Sequence, residues 1–105
     1  MKKVIPDGPY EKYYDNGQLR GKGTYKDGEL DGRCDWYHEN GQLWVKANYK
    51  DGEREGPSEK YHDNGQLWVK ANYKNGKLDG PYETYYENGQ LDQKGTFKDG
   101  DFISD

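Results

Sequence analysis

A 24-residue unit recurs four times without insertions: DGPYEKYYDNGQLRGKGTYKDGEL (7–30), DGRCDWYHENGQLWVKANYKDGER (31–54), EGPSEKYHDNGQLWVKANYKNGKL (55–78) and DGPYETYYENGQLDQKGTFKDGDF (79–102). A unit this short cannot bury a core by itself. It gains stability only by stacking on copies of itself, so contacts run between neighbours along a line. The chain therefore reads as one repeat domain over 7–102, with a leader at 1–6 and a tail at 103–105.

Each unit carries two turn signals. Asn-Gly stands at 16–17, 40–41, 64–65 and 88–89. Asp-Gly or Asn-Gly stands at 27–28, 51–52, 75–76 and 99–100. Both dipeptides accept the positive φ of tight hairpin turns. The segments between them are rich in Tyr, Thr, Val and Trp and show no 3.6-residue apolar stripe. The expectation is an all-β chain in which each repeat is a β-hairpin, together forming an eight-strand antiparallel meander.

Charge patterning bears on the register. With two central residues at the Asn-Gly turn, Glu11 faces Lys22, Asp35 faces Lys46, Glu59 faces Lys70 and Glu83 faces Lys94. Each opposite-charge pair adds a few tenths of a kcal/mol. The same register sets Gly8, Gly32, Gly56 and Gly80 opposite Tyr25, Tyr49, Tyr73 and Phe97, an arrangement in which a ring covers a strand glycine. A three-residue turn with a bulge would instead pair Tyr13 with Leu19, and so on in each repeat. The first register is the expected one. It gathers Leu19, Leu43, Leu67 and Leu91 on one face with Val45, Val69, Ala47 and Ala71. The other face carries Tyr13, Arg20, Tyr37, Trp44, Tyr61, Trp68, Tyr85 and Asp92.

Composition supports a thin structure. Leu, Ile, Val and Phe make up 13 of 105 residues, while Tyr and Trp add 14 large rings. An aliphatic core thick enough for a two-layer sandwich is excluded. Aromatics on both faces suit an elongated single-layer ribbon, extending about 38 Å over eight strands. No stretch approaches the roughly 20 apolar residues of a membrane span. MKKVIP has no signal-peptide apolar segment, and Cys34 alone makes no internal disulfide, so a cytoplasmic location is the default.

The pattern G-x-x-x-x-Y-[YH]-x-N-G-Q-L-x-x-K-x-x-[YF]-K-x-G-x-x-[DE]-G, complete in the first three repeats and present in the fourth up to its closing [DE]-G, resembles the MORN repeat in its bacterial second variant. The middle repeats depart from the broader pattern: Val45, Ala47, Val69 and Ala71 stand where glycines are usual. The resemblance implies an elongated β-hairpin array acting as a protein-binding scaffold, and some bacterial members are antitoxin-like. The expected function is a non-enzymatic binding module with an antitoxin, immunity or inhibitor-like role.

Signals for chemistry are weak. His38 and His62 are one repeat apart, about 9.6 Å, too far to share a metal at ~2.0 Å from each nitrogen. Cys34 has no histidine placed as a base. No catalytic group, metal site or cofactor is expected. By repeat, the formal charges are −1, −1, +1 and −4, and from Asp79 onward the chain carries −5. Nucleic acid and anionic membrane surfaces are poor partners for it. A protein with a basic patch is the better one, steered by the acidic end with Asp92 and Asp101.

Fold-determining positions should be alike in every repeat, yet the fourteenth varies as Arg20, Trp44, Trp68, Asp92. Rings where the fold leaves a free choice point to binding. Trp44 and Trp68, flanked by Tyr37 and Tyr61 with Tyr13 and Tyr85 beyond, are the expected partner-binding residues, with Asp92 and Asp101 at the acidic end. Two other readings stand beside this one: a small-ligand or glycan-binding aromatic repeat, and a self-associating structural array whose uncovered face invites a homodimer.

Overall fold

The computed structural model describes residues 7–104; the leader at 1–6 and Asp105 of the tail lie outside the described residues. The described chain forms one open antiparallel sheet and contains no helix. Each repeat supplies three strands, not the expected two. The first supplies β1 (Gly8–Tyr13), β2 (Leu19–Lys26) and β3 (Glu29–Leu30); the second β4 (Gly32–Tyr37), β5 (Leu43–Lys50) and β6 (Glu53–Arg54). The third supplies β7 (Gly56–Tyr61), β8 (Leu67–Lys74) and β9 (Lys77–Leu78); the fourth β10 (Gly80–Tyr85), β11 (Leu91–Lys98) and β12 (Asp101–Ser104). The long strands follow chain order, β1-β2-β4-β5-β7-β8-β10-β11, with β12 at the far edge. The two-residue strands β3, β6 and β9 fold back on the ends of β2, β5 and β8. The result is a single-layer meander measuring 49 × 33 × 18 Å.

The extra strands come from the Asp-Gly turns. Asp27 and Gly28 both have positive φ, 51° and 82°, the signature of the two-residue turn that matches strand twist. That turn pairs Lys26 with Glu29 before the chain leaves for the next repeat. The Asn-Gly turns differ. Only Gly17 is left-handed there, with φ 88°. The Gly17 amide donates to the Tyr14 carbonyl at 3.0 Å, and the Tyr14 amide donates to the Gln18 carbonyl at 2.9 Å. Asn16 closes the turn by accepting the Gln18 amide on Oδ1 at 2.9 Å.

This three-residue turn shifts the ladder by one residue, and a bulge shifts it back. Tyr13 pairs with Leu19, but Lys12 pairs with Gly21, so Arg20 is the extra residue. Beyond the bulge the expected register holds: Glu11 faces Lys22 and Gly8 faces Tyr25. Every hairpin repeats the arrangement. Both registers are therefore present, one at the tip and the other along the strands.

The bulge corrects the expected faces. Paired residues share a face, so Leu19, Leu43, Leu67 and Leu91 lie with Tyr13, Tyr37, Tyr61 and Tyr85 rather than with the valines and alanines. The expected glycine cover also differs. Gly8, Gly32 and Gly56 have open space where a Cβ would stand, and their positive φ is what calls for glycine. The ring-covered glycine is Gly21, under the Trp36 indole on the next hairpin.

Between repeats the charged pairs extend further than expected. Lys22 also faces Asp35, Lys46 faces Glu59 and Lys70 faces Glu83. Joined to the four pairs within hairpins, they make a row of alternating charge from Glu11 to Lys94. Glu11, Lys22, Lys70 and Lys94 are exposed, Lys46, Glu59 and Glu83 are half-buried and Asp35 is buried. The exposed pairs add little energy each, but a slipped register would set like charges side by side.

Two side-chain struts lock neighbouring tips. Asn16, Asn40 and Asn64 donate through Nδ2 to the carbonyls of Glu39, Asp63 and Glu87, at 3.3, 2.8 and 2.9 Å. Tyr14 donates its hydroxyl to the Tyr37 carbonyl at 2.5 Å. His38 and His62 do the same job through Nε2, to Tyr61 and Tyr85, at 3.0 and 2.9 Å. A carbonyl only accepts, so both imidazoles carry their proton on Nε2 in these bonds.

The buried apolar side chains are few: Cys34, Val45, Ala47 and Ala71. Ser58 and Thr84 are buried polar residues on the same face, and Asp35 is buried in the charged row on the opposite one. Thr84 Oγ1 has no hydrogen-bond partner. Valine keeps the shape and removes the orphaned hydroxyl, so Thr84→Val should stabilise the fold by about 1 kcal/mol. Chemical denaturation would show this as a higher midpoint at unchanged slope.

Candidate binding face

The bulge decides where the variable position points. Trp68 stacks on His62, ring centroids 4.9 Å apart, and Lys60 Nζ lies 4.7 Å from the Trp68 ring. Trp44 packs on His38 at 5.4 Å. The outer repeats keep the pairing with other chemistry. Arg20 lies over the Tyr14 ring at 5.6 Å, and the nearby Asp92 carboxylate raises the Tyr86 phenol's pKa. Each strut residue thus carries the bulge residue of its own repeat. Trp44 and Trp68 are 37% and 38% exposed, so each indole is held on one side and open on the other.

Of the residues expected to act together, the structure brings Trp44, Trp68 and Asp92 to one face. Tyr13, Tyr37, Tyr61 and Tyr85 lie on the opposite, charged face. The expected grouping of the indoles with Tyr37 and Tyr61 is corrected accordingly: the bulge turns the two rows to opposite sides, and His38 and His62 flank the indoles. The tyrosines serve the charged row. Tyr13, Tyr61 and Tyr85 donate to Glu11, Glu59 and Glu83 at 3.2, 3.1 and 3.1 Å. The Tyr13 pKa is raised first by its bond to Glu11; those of Tyr61 and Tyr85 are raised first by burial, then by their glutamates.

At the C-terminal end of the indole face lies a groove of about 590 Å³, lined by Tyr82, Asp92, Gln93, Lys94, Phe97 and Phe102. Phe97 meets Tyr82 and Phe102 edge to face at 5.1 and 5.5 Å. Phe102 and Ile103 remain 56% and 59% exposed, so this end presents apolar surface beside Asp92. Asp101 pairs with Lys98 across the last turn. Sequence reasoning missed the aromatic groove because its rings stand at positions that read as ordinary sheet residues.

Cys34 is buried against Gly23. Burial pushes its thiol pKa up, and Asp35 pushes it further, while Arg54 works the other way. A raised pKa leaves little thiolate at pH 8. A thiol reagent should therefore label Cys34 slowly in the native protein and fully after unfolding, as read by mass shift against time. Among the described residues, no group of three or more His, Cys, Asp or Glu side chains is placed to hold a metal ion.

No curated protein matches the chain. The family model described as MORN repeat variant matches four times, at residues 6–27, 30–51, 54–75 and 78–99. Successive matches begin 24 residues apart, in step with the hairpins and covering most of the chain. With the period, the turns and the repeated register all in agreement, the chain belongs to the MORN repeat variant family, MORN_2.

Proposed function

We propose that this repeat module docks a protein partner on the face that carries Trp44, Trp68 and Asp92. One observation carries the reading. The two indoles stand one repeat apart on the same side, each at a bulge where the other repeats hold Arg20 and Asp92, and each leaves over a third of its surface open. Aromatic anchors with a charged rim are the usual anatomy of a binding hot spot. The groove with Asp92 extends the face toward the acidic end, which suits a partner with a basic patch. An antitoxin, immunity or inhibitor-like role, in a bacterial cytoplasm and without catalysis, fits such a surface.

Capture from a lysate of the source cell tests this. Wild-type protein should retain a partner that a Trp44→Ala, Trp68→Ala double variant loses, while Tyr37→Phe on the opposite face keeps it. Equal capture by all three would reject the face. Replacing His38 and His62 with Tyr, and Cys34 with Ser, should leave the biological activity intact, since tyrosine already makes the same strut at position 14. Loss of activity in a folded triple variant would instead restore a catalytic reading.

A further inference from the structure

The twenty-fourth position of the repeats holds Leu30, Arg54, Leu78 and Phe102, so a guanidinium replaces an apolar side chain once. Arg54 is half-buried between two tyrosines. Nε donates to the Tyr49 hydroxyl at 3.4 Å, Nη1 donates to the Tyr73 hydroxyl at 3.3 Å, and Cζ lies 5.2 Å from the Tyr73 ring centroid. Both acceptors are neutral. Among the described residues no carboxylate forms an ion pair with Arg54; the ion pairs are Arg33–Asp35 and Lys46–Glu59.

Arg54 lines a groove of about 220 Å³ on the indole face, together with Lys60, Ser58 and Tyr73 over a floor that includes Val45 and Val69. None of its lining residues is acidic, although the chain has 20 acidic residues against 16 basic ones. Two cations in one small groove repel each other, and burial strips hydration from Arg54; an anion between them offsets both costs. Ser58 is only 7% exposed and adds a buried hydroxyl to the same wall. The volume is below the roughly 300 Å³ of drug-sized pockets, so a single small group fits rather than a large ligand.

The structure assigns this groove as a binding site for one oxyanion, a carboxylate or a phosphate group, held by Arg54 and Lys60 with Ser58 as a hydroxyl donor. The guanidinium has N–H groups left after its two tyrosine bonds, and its planar fork matches two oxygens of an oxyanion. Lys60 contributes a mobile point charge that is poised over Trp68. The site shares the indole face but does not rest on the docking reading, because its test uses free anions and no partner.

The test is an NMR titration of the whole protein, following the Arg54 Nε–H and Lys60 signals. The probes are inorganic phosphate, acetate and N-acetylaspartate, with sodium chloride at matched ionic strength as the control. Phosphate or the carboxylates should give saturable shifts that chloride does not reproduce. A preference for phosphate would point to a free anion or phosphoryl group, and a preference for the carboxylates to an acidic side chain or chain terminus. Arg54→Leu restores the residue of the first and third repeats, and Lys60→Thr matches Thr84 of the fourth, so both variants should fold. Each should weaken binding by about tenfold, the scale of a lost charge-assisted contact. Non-saturating shifts, shifts equal to those with chloride, or unchanged affinity in both variants would overturn the assignment.

Discussion

Gly21→Val should lower the melting temperature by about 10 °C or more, and Trp36→Thr in the same chain should recover part of that loss. A Cβ on Gly21 would lie 2.3 Å from Trp36 Cε3 and 2.5 Å from Cζ3, closer than side-chain atoms approach. The indole sits on the neighbouring strand, paired directly with Gly21, so it cannot move without giving up its place on the sheet. Overpacking of this kind costs about 1–3 kcal/mol, and at this chain length each kcal/mol moves the midpoint by several degrees. The other repeats show how the clash is avoided. Val45 pairs with Lys60, and Val69 pairs with Thr84. Glycine with tryptophan and valine with threonine are two ways to fill the same space. The double variant copies the second, so the two changes should couple by at least about 1 kcal/mol in a mutant cycle. Simple additivity, with no recovery, would mean that the ring accommodates the valine elsewhere.

For Trp44→Ala and Trp68→Ala, the expected loss is about 2 kcal/mol of binding to the proposed protein partner, near thirtyfold in Kd, with the melting temperature little changed. The asymmetry follows from the contacts. Each indole rests on one histidine of its own repeat and leaves over a third of its surface open. Truncation removes a ring stack worth about 0.5–1.5 kcal/mol to the fold, while the side facing a partner loses its anchor. His38 and His62 keep their struts to the next repeat whether or not an indole covers them. Charge reversal at Asp92 and Asp101 acts on a different quantity. It should slow association and flatten its salt dependence, since rim charges steer encounter more than they hold the complex. Calorimetry and stopped-flow mixing separate the two effects. If both tryptophan changes lower stability and leave Kd untouched, the rings are packing residues and the face is misassigned.

What could be read in the residues alone was short-range. The 24-residue period, the two turns per repeat and the Glu11–Lys22 pairing with its equivalents each depend on residues within one hairpin. Their signals are also repeated four times, which averages out local exceptions. The family resemblance rested on the same residues and agrees with the family match. The variable fourteenth position was legible as well, because comparing repeats within one chain separates what the fold demands from what it leaves free.

The tertiary structure decided which way that position faces. Side chains on a strand alternate with period two, so a single bulge residue sends everything between it and the turn to the other side. One inserted residue at Arg20, Trp44, Trp68 and Asp92 separated the indoles from Tyr37 and Tyr61 and set them over His38 and His62. Nothing in the Asn-Gly dipeptide fixes this, since the same two residues serve a two-residue turn and a three-residue one; the hydrogen bonds of the folded tip select between them. The struts, the three steps of the charge row between repeats, the Gly21–Trp36 contact and the groove around Arg54 likewise join residues on different hairpins. Sequence spacing says which residues recur, but only the stacking of one hairpin on the next says which of them meet.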